Sequence, residues 1–494
     1  MIRIEKEVIK KQPKFWNHIL FHPTDAIEDP WGRRILDRIA ADGAIKTIRI
    51  YSMFEDIVYI GENGELCYDF RLSDLRLDYL LEKGYDLLIA YAGMPDCIAQ
   101  STNLTFSAAK NNTRYKGKMW NSAPPKDYAV WEEVCYQYTK HLVERYGEST
   151  VAQWHCHCHN EPDGGFWMRD LVSSVDYLKK CNEYCKLYDA FVRGVRRASK
   201  GIRVGGPALS HRTEFLDPFL KHVTETGVEL NYIALHTYGA SLKSIEKGRR
   251  IATENQFEFR INPYMEVIRK YGLEKTELII DEWGASAQGF WNVEECPVFL
   301  FREHEVFSAF FAKMIYQLIE SGINISKLMI CLSGQHEMVT DFSGFRNFFT
   351  LNFFAKPIYN AHLMTSKMEE LLVKSRADNE NVFAVSTKNE EGRYSTLLTY
   401  CSQFFDEDIP AFTEELSYAE DISGKTVTVY CIDKTHTNPY RLHERMGIEG
   451  EPNEEEIKLL KEEGNLIPLC SYVSDGSPVK LELTANATYL VLIG

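Results

Sequence analysis

The amino-acid sequence predicts an α/β fold, a (β/α)₈ TIM barrel followed by a C-terminal antiparallel β-sandwich. Three observations carry that prediction. From Trp16 to about Cys331 one unit recurs, made of an amphipathic segment, a glycine and a short apolar run. The apolar runs are continuous rather than alternating, as parallel strands covered on both faces require. After about His362 the pattern changes to short alternating runs, which suit antiparallel strands.

The first strand is WNHILF. The junction glycines follow in order: Gly43 before AIKTIRIYS, Gly84 before YDLLIAYAG, Gly147 before ESTVAQWHCHCH, Gly201 before IRVGG, Gly227 before VELNYIALHTY, Gly272 before LEKTELIIDEW and Gly322 before INISKLMICLS. A glycine just past a helix takes the left-handed conformation that closes the last turn, so each junction reads as a helix end feeding a strand. The upstream segments agree. In KDYAVWEEVCYQYTKHLVERYG, Tyr128, Trp131, Val134, Cys135, Tyr138, Leu142 and Val143 fall near a 3.6-residue period and form one apolar helix face. Seven junctions plus WNHILF make eight strands. An open doubly wound sheet would carry a glycine-rich phosphate loop after its first strand, and FHPTDAIEDPWG has none. A closed barrel over residues 14–362 is therefore expected, with its active site at the carboxyl ends of the strands.

Residues 363–494 read as the second domain, with strands in NVFAVST, RYSTLLTYC, KTVTVYCID and VKLELTANATYLVLIG, and with residues 1–13 available to join it. A helical insert falls at EPNEEEIKLLKEEG, where Asn453 caps and Glu456 stands three residues on. No low-complexity linker separates the two units, so firm packing between them is expected.

Lys and Arg total 56 against 71 for Asp and Glu, a net charge of −15 that opposes binding to nucleic acid or an anionic membrane. A neutral ligand fits better. No stretch has the length and apolarity of a signal core or a membrane span, so a cytoplasmic location is expected. The 12 cysteines lack framework spacing and read as reduced, mostly buried thiols.

A barrel of this kind puts its reactive residues at strand ends, and two carboxylates comply. Glu161, in HNEPDGGFW, follows the fourth strand, and Glu282, in LIIDEWGAS, ends the seventh. Cleavage of a glycosidic bond needs one carboxyl group to protonate the leaving oxygen and another to attack or to activate water, so such a pair suits it. With 71 acidic residues some glutamates end strands by chance, and the neighbours must discriminate. Asn160 can hydrogen-bond a sugar hydroxyl, and Pro162 stiffens the loop behind it; a plain turn is the alternative. Trp283 offers an aromatic surface to a pyranose ring; core packing is the alternative. His236 and Tyr238, in ALHTYG on the sixth strand, share a side by the two-residue period. A tyrosine there can hydrogen-bond a carboxylate nucleophile and keep it ionised.

At these residues the sequence resembles glycoside hydrolase family 39, the family of β-xylosidases and α-L-iduronidases, among the barrel glycosidases with an Asn-Glu-Pro acid/base motif. PKFWNH, MPD at 94–96, PPKDYAVWEE from Pro124, GGPA at 205–208, HTYG at 236–239, DEWG at 281–284, AKPIYNA from Ala355 and IDKTHTNPYRLHERMG from Ile432 occur in family order. The resemblance implies Glu161 as acid/base, Glu282 as nucleophile, Asn160 as a contact to the 2-hydroxyl, and His236 and Tyr238 in the sugar subsite. It also implies Arg49, in IRIYS on the second strand, as the family's active-site arginine. It implies retention of configuration through a glycosyl-enzyme, with carboxyl groups roughly 5 Å apart, and a homo-oligomer without metal or organic cofactor. The expected activity is that of an exo-acting retaining β-glycosidase on a glycoside or oligosaccharide, foremost a β-xylosidase. Glucosides, galactosides, arabinosides or uronides are the alternative substrates, and a carbohydrate-binding protein that has lost catalysis is the alternative class.

Two departures from the family pattern touch the expected pocket. His159 stands where the family has an aromatic residue before the asparagine, and Ile50-Tyr51-Ser52 stands where the xylosidases carry a histidine and glycine. His159 also closes a run in which His155, His157 and His159 alternate with Cys156 and Cys158, so the histidines share one strand face. The run is the best metal candidate in the chain. Zinc sites draw their ligands from several elements, however, and a layer of hydrogen-bonded interior histidines is the preferred reading.

Overall fold

A computed structural model describes residues 1–22, 27–103, 120–240, 260–289, 291–402 and 408–494. The chain opens with β1 (Ile2–Lys11) and then enters β2 (His18–Phe21), β3 (Thr47–Tyr51), a small hairpin of β4 (Val58–Ile60) and β5 (Leu66–Tyr68), β6 (Asp86–Tyr91) and β7 (His155–Cys158). It continues through β8 (Arg203–Leu209), β9 (Tyr232–Ala240), β10 (Glu277–Ser286) and β11 (Ile325–Leu332). The eight apolar runs are parallel staves of one closed barrel in the order β10-β11-β2-β3-β6-β7-β8-β9. The predicted α/β class and barrel are thus the observed ones.

The helices between the staves form for the reasons expected. Tyr128–Tyr146 is capped by Asp127, whose side chain accepts from the Ala129 N–H, and buries Trp131, Val134, Cys135, Tyr138 and Leu142. Gly43 and Gly227 close their helices with φ of 66° and 70°. Gly201 works differently: an added Cβ would stand 2.3 Å from the Ala152 Cβ, so the glycine is there for close approach rather than for a left-handed turn.

The C-terminal strands are β12 (Leu371–Ala377), β13 (Val382–Lys388), β14 (Tyr394–Tyr400), β15 (Phe412–Tyr418), β16 (Thr426–Ile432), β17 (Pro468–Val473), β18 (Val479–Leu483) and β19 (Thr488–Ile493). With β1 they make one nine-stranded sheet in the order β17-β16-β19-β14-β13-β12-β1-β15-β18. β1 pairs antiparallel with β12 and parallel with β15, which ties the first residues of the chain to the last domain. Val427 and Val429, near one end of the sheet, share a core with Leu416 and Leu481 from the other end, so the sheet folds over itself as a sandwich does. Its opposite face, through Leu372, Val385, Leu397 and Leu490, merges with the barrel core. Tyr316 on the barrel helix Glu305–Glu320 meets Phe383 at 5.4 Å between ring centroids.

The predicted helical insert holds Glu454–Glu463, with Asn453 and Glu456 in a reciprocal capping box. A second helix, Pro439–Met446, precedes it and was not legible as periodicity. Asn438 and Arg441, in that motif, bind Glu305 of the barrel at 2.9 and 2.8 Å. Among the described residues no helix is long and apolar enough to cross a membrane.

Candidate active site

A bulge in β10 builds the centre of the carboxyl-terminal mouth. Against β9, Ile280 pairs with Leu235 and Glu282 with His236, so Asp281 is an extra residue without a partner of its own. A regular strand would send Asp281 and Glu282 to opposite faces; the inserted residue lets both enter the barrel. β9 delivers His236 and Tyr238 to the same mouth by simple alternation.

Asp281 is fully buried, with Arg49 Nε at 3.1 Å, His157 Nε2 at 3.4 Å and His236 Nε2 at 3.6 Å. Burial would raise its carboxyl, but the charges of Arg49 and His236 hold it far below the usual carboxylate range. Arg49 in turn donates through Nη1 to Glu282 Oε1 at 2.9 Å and through Nη2 to Asn160 Oδ1 at 2.6 Å. That second bond turns the Asn160 N–H₂ end away from Arg49 and leaves it to donate elsewhere.

The two glutamates have opposite electrostatic surroundings. Around Glu282, Tyr238 donates to Oε2 at 2.7 Å and Tyr51 to Oε1 at 3.4 Å. Burial opposes its charge, yet His236 and Arg49 outweigh burial and hold its pKa down to about 2. Glu161 sits after β7 with a backbone φ of 46°, a left-handed conformation that costs a non-glycine residue of order 1–3 kcal/mol. Its N–H is anchored on the Ala208 carbonyl at 2.9 Å. For this group burial dominates and raises the pKa, although His236 Nδ1, 2.8 Å from Oε1, pulls it down. His236 is raised to about 10: burial works against its charge, and Glu282 and Asp281 overcome that. Carboxylate oxygens of Glu161 and Glu282 lie within 4.8 Å of one another, with His236 touching both. Such a pair sets a carboxyl raised by burial beside one held ionised, the arrangement that an acid and a base require.

Among the described residues two groups are close enough to share an ion, the trio just named and Cys431 with Asp433 and His436. In the second trio Asp433 Oδ1 is already committed to the backbone N–H groups of Thr435 and His436, at 2.6 and 2.7 Å. The histidine run belongs to neither. His155 Nε2 bonds Glu277 at 3.2 Å, His157 faces Asp281, and His159 leaves the strand with φ of 61° to meet the Trp167 ring at 4.4 Å. Three rings with three separate sets of neighbours cannot wrap one ion. Cys158 packs outward against the Tyr184 hydroxyl, at 3.5 Å.

Trp283 requires a correction. It was expected to face the sugar, but it is 0% exposed and stacks on Phe310 at 5.5 Å, with Phe307 and Phe311 around it. The bulge that turns Glu282 inward turns its neighbour outward into the helix layer. Aromatic surface beside Glu282 comes instead from Tyr51 and Trp120, whose ring centroids are 5.1 Å apart. Arg346, in the loop after β11, was missed altogether. It is 8% exposed and donates to the Tyr238 hydroxyl at 2.8 Å and to the Ser333 hydroxyl at 3.2 Å. Its one sequence signal is its position after the eighth strand, which any loop arginine shares.

Comparison with known proteins bears on this geometry. The model of glycosyl hydrolases family 39 matches residues 1–466. A β-xylosidase of Caldicellulosiruptor saccharolyticus is 24% identical over 465 residues, covering 90% of this chain and 88% of that protein. An α-L-iduronidase of Homo sapiens is 28% identical over 225 residues, covering 42% of this chain and 30% of that protein. Among solved structures, a monomeric β-xylosidase from Caulobacter crescentus CB15 has a TM-score of 0.81 at 18% identity, covering 100% of this chain and 99% of that one.

Proposed function

The chain belongs to glycosyl hydrolases family 39 and is a glycoside hydrolase, and from that premise we propose that it is a retaining, exo-acting β-glycosidase acting on β-xylosides. One observation carries the reading. The nearest glutamate oxygens lie within 4.8 Å, which supports the roughly 5 Å separation of retaining carboxylates over the roughly 6.5–9.5 Å that lets a water attack between inverting ones.

In the first displacement Glu282 attacks the anomeric carbon while Glu161 passes its proton to the leaving oxygen. In the second, the Glu161 carboxylate takes a proton from water, the water oxygen attacks the same carbon, and Glu282 leaves as a carboxylate. Arg49 and Tyr238 aim Glu282 and keep it ionised. Asn160 presents its N–H₂ to the 2-hydroxyl, and Tyr51 and Trp120 take the aromatic role once assigned to Trp283. A 2-deoxy-2-fluoro-β-xylosyl donor tests the assignment: mass spectrometry should find the trapped sugar on Glu282, and a label on any other residue would remove Glu282 from its role.

A uronide is the second reading, and Arg346 favours it. Among the described residues no carboxylate lies within 4.0 Å of its guanidinium and Glu282 acts on it only from further off, so a buried cation beside the Glu282 subsite can face a substrate carboxylate. Nitrophenyl β-xyloside and iduronide compared by kcat/KM decide between the two. Arg346→Gln should cost a uronide substrate about tenfold or more beyond its cost to a β-xyloside, which loses only the support that Arg346 gives Tyr238 and Glu282. All twelve cysteines are free and nine are buried, which supports the cytoplasmic assignment. The homo-oligomer implied by family resemblance is tested by light scattering.

A further inference from the structure

The barrel has a second mouth, at the amino ends of its staves, and that mouth encloses a cavity of about 360 Å³. Its floor is made by the first residues of four strands, His18, Thr47, Asp86 and His155. Lys11, Lys14, Lys46 and Lys327 also line it, against the carboxylates of Asp86 and Glu370. Four lysines against these two carboxylates and Glu277, which pairs with Lys327, leave an excess of one positive charge, in a chain whose net charge is −15.

The cations here are incompletely used. Half-buried Lys14 donates to the Ser366 carbonyl at 2.8 Å, and among the described residues no carboxylate lies within 4.0 Å of its ammonium. Lys327 stands 3.7 Å from Glu277, which His155, Ser326 and Arg203 already serve. Lys46 and Asp86 are 3.9 Å apart. His18 is 5% exposed, and its Nδ1 has no hydrogen-bond partner. A buried imidazole nitrogen without a partner, beside a half-buried ammonium that among the described residues has no carboxylate within 4.0 Å, marks a place made for an anion. The lining contains no Phe, Tyr or Trp, so neither a sugar ring nor a base has a surface to stack on.

We propose that the amino-terminal mouth binds a compact oxyanion of the phosphate type, held by Lys14, Lys327 and His18. The site is separate from the glycosidase centre. Ile279 lies between Glu277 and Asp281 on β10, and with Leu88, Tyr232, Ala234 and Met329 it forms an apolar layer across the barrel between the two mouths.

Titration calorimetry of the whole chain with inorganic phosphate, against chloride at matched ionic strength, tests this. The expected result is saturable binding of one phosphate per chain, weakened at least roughly tenfold in Lys14→Met, as loss of a charge-assisted hydrogen bond predicts. Turnover of an aryl glycoside should be unchanged in that variant. Absence of heat beyond the chloride control overturns the proposal, as does binding indifferent to both Lys14→Met and Lys327→Gln. Phosphate that competes with substrate and ignores Lys14 overturns it too, because the anion is then in the other mouth. If Lys14→Met does not fold, Lys327→Gln carries the same comparison.

Discussion

Strand β10 begins with Glu277 at one mouth of the barrel and brings Glu282 to the other, and the two carboxylates are alike in most respects. Each is held down to about 2 against the cost of burial, and each contacts an arginine and a histidine. They differ in company. Glu277 is surrounded by His155, Ser326, Arg203 and Lys327, and among the described residues no second carboxylate shares them through a hydrogen bond or an ion pair within 4.0 Å. Glu282 shares His236 with Glu161, whose carboxyl is raised. A depressed carboxyl alone therefore marks a satisfied ion-pair network; a depressed one beside a raised one marks acid–base chemistry.

The largest effect should separate the two at once. Glu282→Ala should lower kcat by roughly 10⁴-fold or more, the scale of losing a covalent catalyst, with the melting temperature little changed. An active variant would break the comparison. One residue further, Trp283→Ala should cost about 3–5 kcal/mol of unfolding free energy while sparing KM, because the indole packs in the helix layer. A raised KM in a stable protein would restore it to the sugar site.

Asp281→Asn keeps the shape but removes the charge that Arg49, His157 and His236 share. Loss of alignment at this level costs roughly 10²-fold in kcat, measured on the soluble variant. At the other mouth, Glu277→Gln should leave kcat alone and lower unfolding free energy by about 1–3 kcal/mol. The pH dependence follows from the sign. The folded carboxyl sits near 2 and the ordinary one at 4.5, so its contribution is full above 4.5 and fades as pH falls towards 2. Denaturant melts at pH 7 and pH 3 read the difference.

The smallest effect is a shift in a pH profile. The proposed mechanism needs Glu282 ionised and Glu161 protonated, which assigns the acid limb of kcat/KM to Glu282 and the alkaline limb to Glu161. His236 lowers Glu161, so His236→Asn should move the alkaline limb to higher pH. A move to lower pH would mean that another group sets that limb.

Much of this was legible in residue order. Glycine spacing and continuous apolar runs required eight parallel staves, because a parallel strand must be covered on both faces and a helix must end before it. Strand-end position brought out Glu161 and Glu282, and period two put His236 beside Tyr238. Local pattern failed where a partner strand sets the phase. Nothing in LIIDEWGAS announces that Asp281 is an extra residue against β9, and without that bulge Asp281 and Glu282 cannot both face inward. Trp283 was misjudged for the same reason. Arg346 escaped because a loop residue reaches the site only through the path of the whole chain.

The sequence by itself thus determined the class of fold and the two strand ends that carry the glutamates, since periodicity and helix termination are local physics. Only the tertiary structure decided which side chains share the mouth and with what charge. Burial, ion pairing and a one-residue slip in pairing exist only once β3, β7, β9 and β10 stand side by side.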